Sequence, residues 1–87
     1  LIPNNYYEAF GVSNKVNTKE IKKRYIQIAK TYHPDKNMKY LNYFSYICSA
    51  YDILKDEEKR AIYDEELFLK NNKPWIINLY FFNLNII

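Results

Sequence analysis

Two runs of apolar residues at helical spacing lie on either side of one proline, Pro34, and this arrangement constrains the chain more than any other feature. Before it, Ile21, Tyr25, Ile28, Ala29 and Tyr32 recur so as to fall on one face of a helix. After it, Phe44, Ile47, Cys48, Tyr51 and Leu54 repeat the pattern. Proline disfavours helical backbone in the residue before it, so the first long helix should stop near Tyr32, with His33 already outside. Residues 33–40 then read as a loop. A connection of about eight residues lets the two helices pack antiparallel. His33, Pro34 and Asp35 are expected at the exposed end of that hairpin.

Short elements flank the hairpin. Tyr6-Tyr7-Glu8-Ala9-Phe10 follows two asparagines that can cap a helical turn, and Gly11 can adopt the left-handed conformation that ends one. Thr18 is expected as the N-cap of the first long helix, with Glu20 in its first turn. Asp56 is expected to cap a short fourth helix, with Glu57 and Glu58 favourably placed at its positive end. Ala61, Ile62 and Tyr63 would give that helix its contact surface. The fold class is therefore all-α. Tyr7, Phe10, Ile21, Ile28, Phe44, Ile47, Tyr51 and Leu54 are the expected core. Eighty-seven residues suffice for one small domain, and ten tyrosines suit it, since each can bury a ring and keep its hydroxyl wet.

Composition removes several function classes. With a single glycine, phosphate-cradling loops are excluded in practice. With a single cysteine, Cys48, there is no intrachain disulfide and no multi-cysteine zinc site, and a reducing compartment such as the cytosol is the easier reading. Cys48 itself reads as a small buried hydrophobe. One histidine, with no triad and no metal-binding cluster, gives no support to an enzyme and implies no cofactor. The net charge of +3 is too small to argue for nucleic acid by itself. Its distribution says more: Lys19, Lys22, Lys23, Arg24 and Lys30 face only Glu20 in one segment, whereas residues 56–66 carry six carboxylates against Lys59 and Arg60. The lysines fall on the outward face of the first long helix, with Ile26 among them. For Lys59 and Arg60 pairing with neighbouring carboxylates is expected. The chain begins at Leu1 and reads as a fragment or processed product, without a signal peptide in the residues given.

The tripeptide and its surroundings resemble the DnaJ-like J domain. The resemblance rests on "YYEAFGV" at 6–12, "EIKKRY" at 20–25, "YHPDKN" at 32–37, Phe44, Ile47, "AYDIL" at 50–54, Asp56 and "KRAIYD" at 59–64. It implies a four-helix J-domain fold over residues 1–66; the apolar C-terminal extension at 67–87 has no counterpart in the family. It also implies a cochaperone that docks on an ATP-bound heat-shock chaperone of the seventy-kilodalton class and stimulates that partner's ATP hydrolysis, catalysing nothing itself. Carried over by position, the partner-binding residues are His33, Pro34, Asp35, Lys22, Lys23 and Tyr25, with Lys36 and Asn37 as neighbours. The chain departs from the family's pattern at Ile26 and Gln27, where basic residues are common, and at Arg24, where a small one is usual. Its loop after the tripeptide is shorter than usual. No glycine- and phenylalanine-rich stretch follows Asp64, so the residues given resemble the J-domain-only class C type.

Two other readings compete: a degenerate J-like structural or assembly module, and a small basic helical module that binds nucleic acid. The acidic fourth helix and the scarcity of arginine weigh against the second, so no nucleic acid is expected. The segment from Pro74 to Ile87 is apolar, is interrupted by three asparagines, and is shorter than the roughly 20 apolar residues of a membrane span. Trp75, Leu79, Phe82 and Ile86 would share a helix face, and a strand is served nearly as well. Docking back on the domain, contact with a client, a complex protein or a second copy, and the start of a membrane segment all remain open for it.

Overall fold

Three of the four described α-helices start where a side chain takes over a backbone donor, and these caps set their boundaries. In the computed structural model, which describes residues 3–76, α1 spans Tyr6–Phe10, α2 Thr18–Tyr32, α3 Leu41–Leu54 and α4 Glu57–Asn72, with a 3-10 turn at Met38–Tyr40. The expectations for Leu79, Phe82 and Ile86 lie outside the described residues. Asn5 caps α1 by accepting from the Glu8 N–H at 2.9 Å. Asp56 caps α4 by accepting from Lys59 N–H at 3.0 Å. α2 departs from expectation: Asn17, not Thr18, is its N-cap, with extended backbone and a side chain 2.8 Å from the Glu20 N–H. Thr18 becomes the first helical residue. Both residue types cap well, and the asparagine one position earlier is the one that reaches the free donor.

α1 stops at Gly11, whose φ of 68° is the left-handed conformation that glycine reaches without strain. Its N–H and that of Val12 close the helix onto the carbonyls of Glu8 and Tyr7. α2 stops as Pro34 requires, with His33 extended at ψ 137°. The segment after it, expected to be loop throughout, contains the 3-10 turn. Asn37 caps this turn by accepting from Lys39 N–H at 3.0 Å, and the turn runs directly into α3, which has no side-chain cap of its own.

α2 and α3 form the antiparallel hairpin. Tyr25 stacks on Tyr51 with centroids 4.1 Å apart, while Tyr32, further along α2, meets Tyr43, nearer the start of α3. Tyr7, Phe10, Ile21, Ile28, Ile47, Ala50 and Leu54 are buried in one core. Full burial of each large member contributes roughly 1.5–3 kcal/mol. Phe44 and Tyr51, expected inside, are half-buried at the edge of the α2–α3 seam, and Ala50 takes an interior place. Among the described residues there is no strand, and the fold is all-α.

α4 is the largest difference in length. It was expected to be short and runs for 16 residues, because nothing before Pro74 stops it. It passes residue 66 without interruption, and Leu67 packs against the core. Its inward face is Arg60, Tyr63, Asp64 and Leu67. Ala61 and Ile62 face water instead, Ile62 at 53% exposure. Tyr63 alone of the expected trio makes the contact: its ring stacks on Tyr6 at 4.6 Å and its hydroxyl accepts from Tyr6 N–H at 2.9 Å.

Candidate functional site

The corner between α2 and α3 is ordered by its own backbone. The N–H of Lys36 donates to the His33 carbonyl at 2.9 Å, closing a turn through Pro34 and Asp35. The N–H of Asp35 donates to His33 Nδ1 at 3.1 Å. An Nδ1 that accepts a hydrogen bond does so through its lone pair, so the neutral imidazole carries its proton on Nε2. Asp35 Oδ2 lies 3.5 Å from the same Nδ1 and would take over as its partner if the ring gained a proton. The imidazole leans on Phe44 with centroids 5.1 Å apart, and Phe44 in turn approaches Tyr25 at 6.3 Å. An aromatic series thus braces the ring against the hairpin seam. Nothing holds the Asp35 carboxylate inward: it is 92% exposed.

Behind this corner, Lys19, Lys22, Lys23 and Lys30 stand exposed on α2. The hairpin, its corner and its cationic face share one length of sequence, and that length is a known one. A family model described as the DnaJ domain matches residues 5–64. The chain is 48% identical over 61 residues to the chaperone protein DnaJ of Rickettsia typhi, covering 68% of this chain and 16% of that relative. It is 47% identical over 62 residues to the chaperone protein DnaJ of Bacillus cytotoxicus, covering 69% and 17%. It is 43% identical over 67 residues to the mitochondrial DnaJ homologue of Drosophila melanogaster, covering 74% and 13%.

The chain belongs to the DnaJ-domain family. It spans about a sixth of the length of the bacterial relatives it matches.

Within this J domain the eight candidate residues divide by the work they do. His33, Pro34 and Asp35 form the corner, and Lys22 and Lys23 are free on α2. Tyr25 lies in the seam, stacked on Tyr51, with its hydroxyl 3.7 Å from Cys48 Sγ. That contact, and then burial, hold the Tyr25 hydroxyl above its usual pKa. Lys36 donates its ammonium to the Lys30 carbonyl in the last turn of α2, where a cation is favoured. Asn37 caps the 3-10 turn. Lys36 and Asn37 therefore hold the corner's shape as well as bordering it.

Two arginines escaped the sequence reading. Arg24 does not join the lysine face. Its Nε donates to the Phe10 carbonyl at the end of α1 at 2.9 Å, and its Nη1 to Gln27 Oε1 at 3.0 Å. The cationic face is left with Ile26, 42% exposed, among its lysines. Arg60, expected to pair with a carboxylate, instead donates to Tyr7 Oη at 2.9 Å and to the carbonyls of Asn14 at 3.1 Å and Val16 at 2.5 Å. Lys59 does pair with a carboxylate, Asp52 of α3, at 3.2 Å. An arginine in an acidic stretch signals an ion pair, and nothing local in the sequence marks carbonyls 44 and 46 positions away as its targets.

Proposed function

We propose that this J domain is a cochaperone that docks on a heat-shock chaperone of the seventy-kilodalton class and stimulates its ATP hydrolysis in protein folding. His33, Pro34 and Asp35 would make the central contact, with Lys22 and Lys23 steering and Tyr25 bracing the seam behind them. The observation that carries this reading is a corner rigid in its backbone and unspent in its side chains. Pro34 and the two hydrogen bonds to His33 fix the backbone, so little conformational entropy remains to be lost on binding. The Asp35 carboxylate keeps its full capacity for a guanidinium fork on the partner. The lysines of α2 favour an acidic partner surface, through an attraction that weakens as salt rises. The domain performs no chemistry in this reading; the ATPase belongs to the partner.

The test is single-turnover ATP hydrolysis by a purified chaperone of this class, with and without the domain. Stimulation is expected, with its loss in His33→Gln while the helical circular dichroism stays unchanged. A folded wild-type protein that fails with both bacterial and mitochondrial chaperones would sink the proposal.

A second reading keeps a foothold in one observation. Ile26 and the Arg24–Gln27 pair leave the cationic face thinner than the family's pattern. A J-like assembly module would bind a stable complex and stimulate no chaperone, which the same assay separates.

A further inference from the structure

We propose that residues 77–87 of this chain seat in the apolar groove between α1, α3 and α4. The groove has a volume of about 310 Å³ and is lined by Tyr6, Ile53, Lys59, Ile62, Tyr63 and Glu66. Its floor is apolar and aromatic, and its two charged residues, Lys59 and Glu66, stand on α4 beside Ile62. α4 exposes two large apolar side chains, Ile62 at 53% and Phe68 at 59%, and of these only Ile62 lines the groove. Exposed apolar surface of this kind marks a place something covers.

Three observations select the occupant. The first is chemistry: residues 77–87 contain apolar and asparagine side chains only, without one charge, and so match a floor that offers few polar partners. The second is register. Ile62, Glu66, Leu69 and Lys73 follow one another at helical spacing, so the chain leaves α4 at Lys73 on the face that lines the groove. There it turns, with the Ile76 N–H donating to the Lys73 carbonyl at 3.0 Å. The third is reach. From Lys73 back to Ile62 is about 16 Å along the helix at about 1.5 Å per residue. Eleven extended residues span at most about 40 Å, so the segment covers that distance with slack. A tether this short also holds the segment at roughly millimolar effective concentration, which a free partner must exceed. The groove contains no residue of α2, so seating the segment leaves the lysine face and the His33 corner uncovered.

A nitroxide at Asn85→Cys, in a Cys48→Ser background of the full 87-residue chain, tests this by amide NMR. The expected result is loss of the Ile53, Ile62 and Tyr63 amide signals in the labelled chain, at every protein concentration. Adding Ile62→Asp should restore them with the rest of the folded spectrum unchanged. Should that variant unfold, Ile62→Ser reads the same point. Signals that persist in the labelled chain overturn the proposal. So does loss seen only when labelled chains broaden unlabelled isotopic ones, which would make a second copy the occupant. So does loss of the label's own spectrum into anionic phospholipid vesicles with the groove signals intact, which would make a membrane the destination.

Discussion

Where α1 meets α4, the polar atoms of Tyr6, Tyr7, Arg60, Tyr63 and Asp64 are spent on one another and on the segment before α2. At the far end of the α2–α3 hairpin, the Asp35 carboxylate is left in water and the His33 ring spends only Nδ1, on the Asp35 N–H. Tyr7 Oη both donates to Asp64 Oδ1 and accepts from Arg60 Nε, inside an almost fully buried residue. Asp35, by contrast, is tied only through its backbone. A small domain has little stability to spare, so the groups it offers a partner cannot also be the groups that hold it together. On the docking reading, this J domain separates the two tasks by place.

The largest expected effect tests the tied end. Arg60→Ala removes donors to one hydroxyl and two carbonyls and the cation lying 5.3 Å from the centre of the Tyr7 ring. It should cost about 3 kcal/mol, since two of the three orphaned acceptors, Tyr7 Oη and the Val16 carbonyl, are partly buried. Arg60→Lys should recover only a part, because an ammonium cannot span the three acceptors as a fork does. Urea denaturation measures both. A loss below about 1 kcal/mol for the alanine variant would mean that this end is not where polar bonding stabilises the fold.

Gly11→Ala comes next, at about 1–2 kcal/mol for left-handed backbone in an L-residue. The added methyl would also sit 3.2 Å from Arg24 Nη2, pressing on the arginine that closes α1. Thermal unfolding of the variant checks the sum. Any rise in stability would show that the Arg24 contact is looser than its geometry.

These two positions also show what could be read in advance. Gly11 was legible because a lone glycine after a short apolar run has one common use. The α2–α3 hairpin and its corner were legible because periodicity and proline act locally. The caps were legible to within one residue: asparagine and threonine stand side by side at 17 and 18, and only the position of Glu20's N–H separates them. The roles of Arg24 and Arg60 were not legible, since their acceptors are backbone carbonyls that have no residue type. Nor was the length of α4, whose second half lacks a clean apolar stripe and is held by Leu67 against a core assembled elsewhere. At the site, the corner residues His33, Pro34 and Asp35 were marked by sequence, whereas the second duty of Lys36 and Asn37 came from hydrogen bonds that span the turn.

Alkaline pH should weaken the tied end selectively. Burial, and then the hydrogen bond to Asp64, push the Tyr7 hydroxyl from its ordinary 10.0 up to about 12. Folded chains therefore hold this proton more tightly than unfolded ones. The stability linked to it is complete below pH 10 and is lost as the pH rises toward about 12. Tyr63 and Tyr46 are shifted the same way, chiefly by burial, so Tyr7→Phe should shallow the alkaline decline without abolishing it. Denaturation midpoints from pH 8 upward, roughly to pH 12, give the comparison. Identical slopes in wild type and variant would remove Tyr7 from the account.

The smallest expected effect on stability belongs to the open end, and it carries the sharpest contrast. Asp35→Asn leaves the backbone donation to His33 Nδ1 in place and removes only a charge in water. Stability should change by no more than about 0.5 kcal/mol. His33→Gln gives up that exposed hydrogen bond and the ring's contact with Phe44, yet Pro34 and the Lys36-to-His33 bond still shape the turn, so it too should stay within about 1 kcal/mol. Both variants should nevertheless lose the stimulation of chaperone ATPase that the docking reading requires. If either unfolds the domain to a degree comparable with Arg60→Ala, the corner is structural and the division of labour between the two ends fails. If both fold normally and still stimulate, the corner is neither brace nor contact, and the docking face must be sought along the lysines of α2.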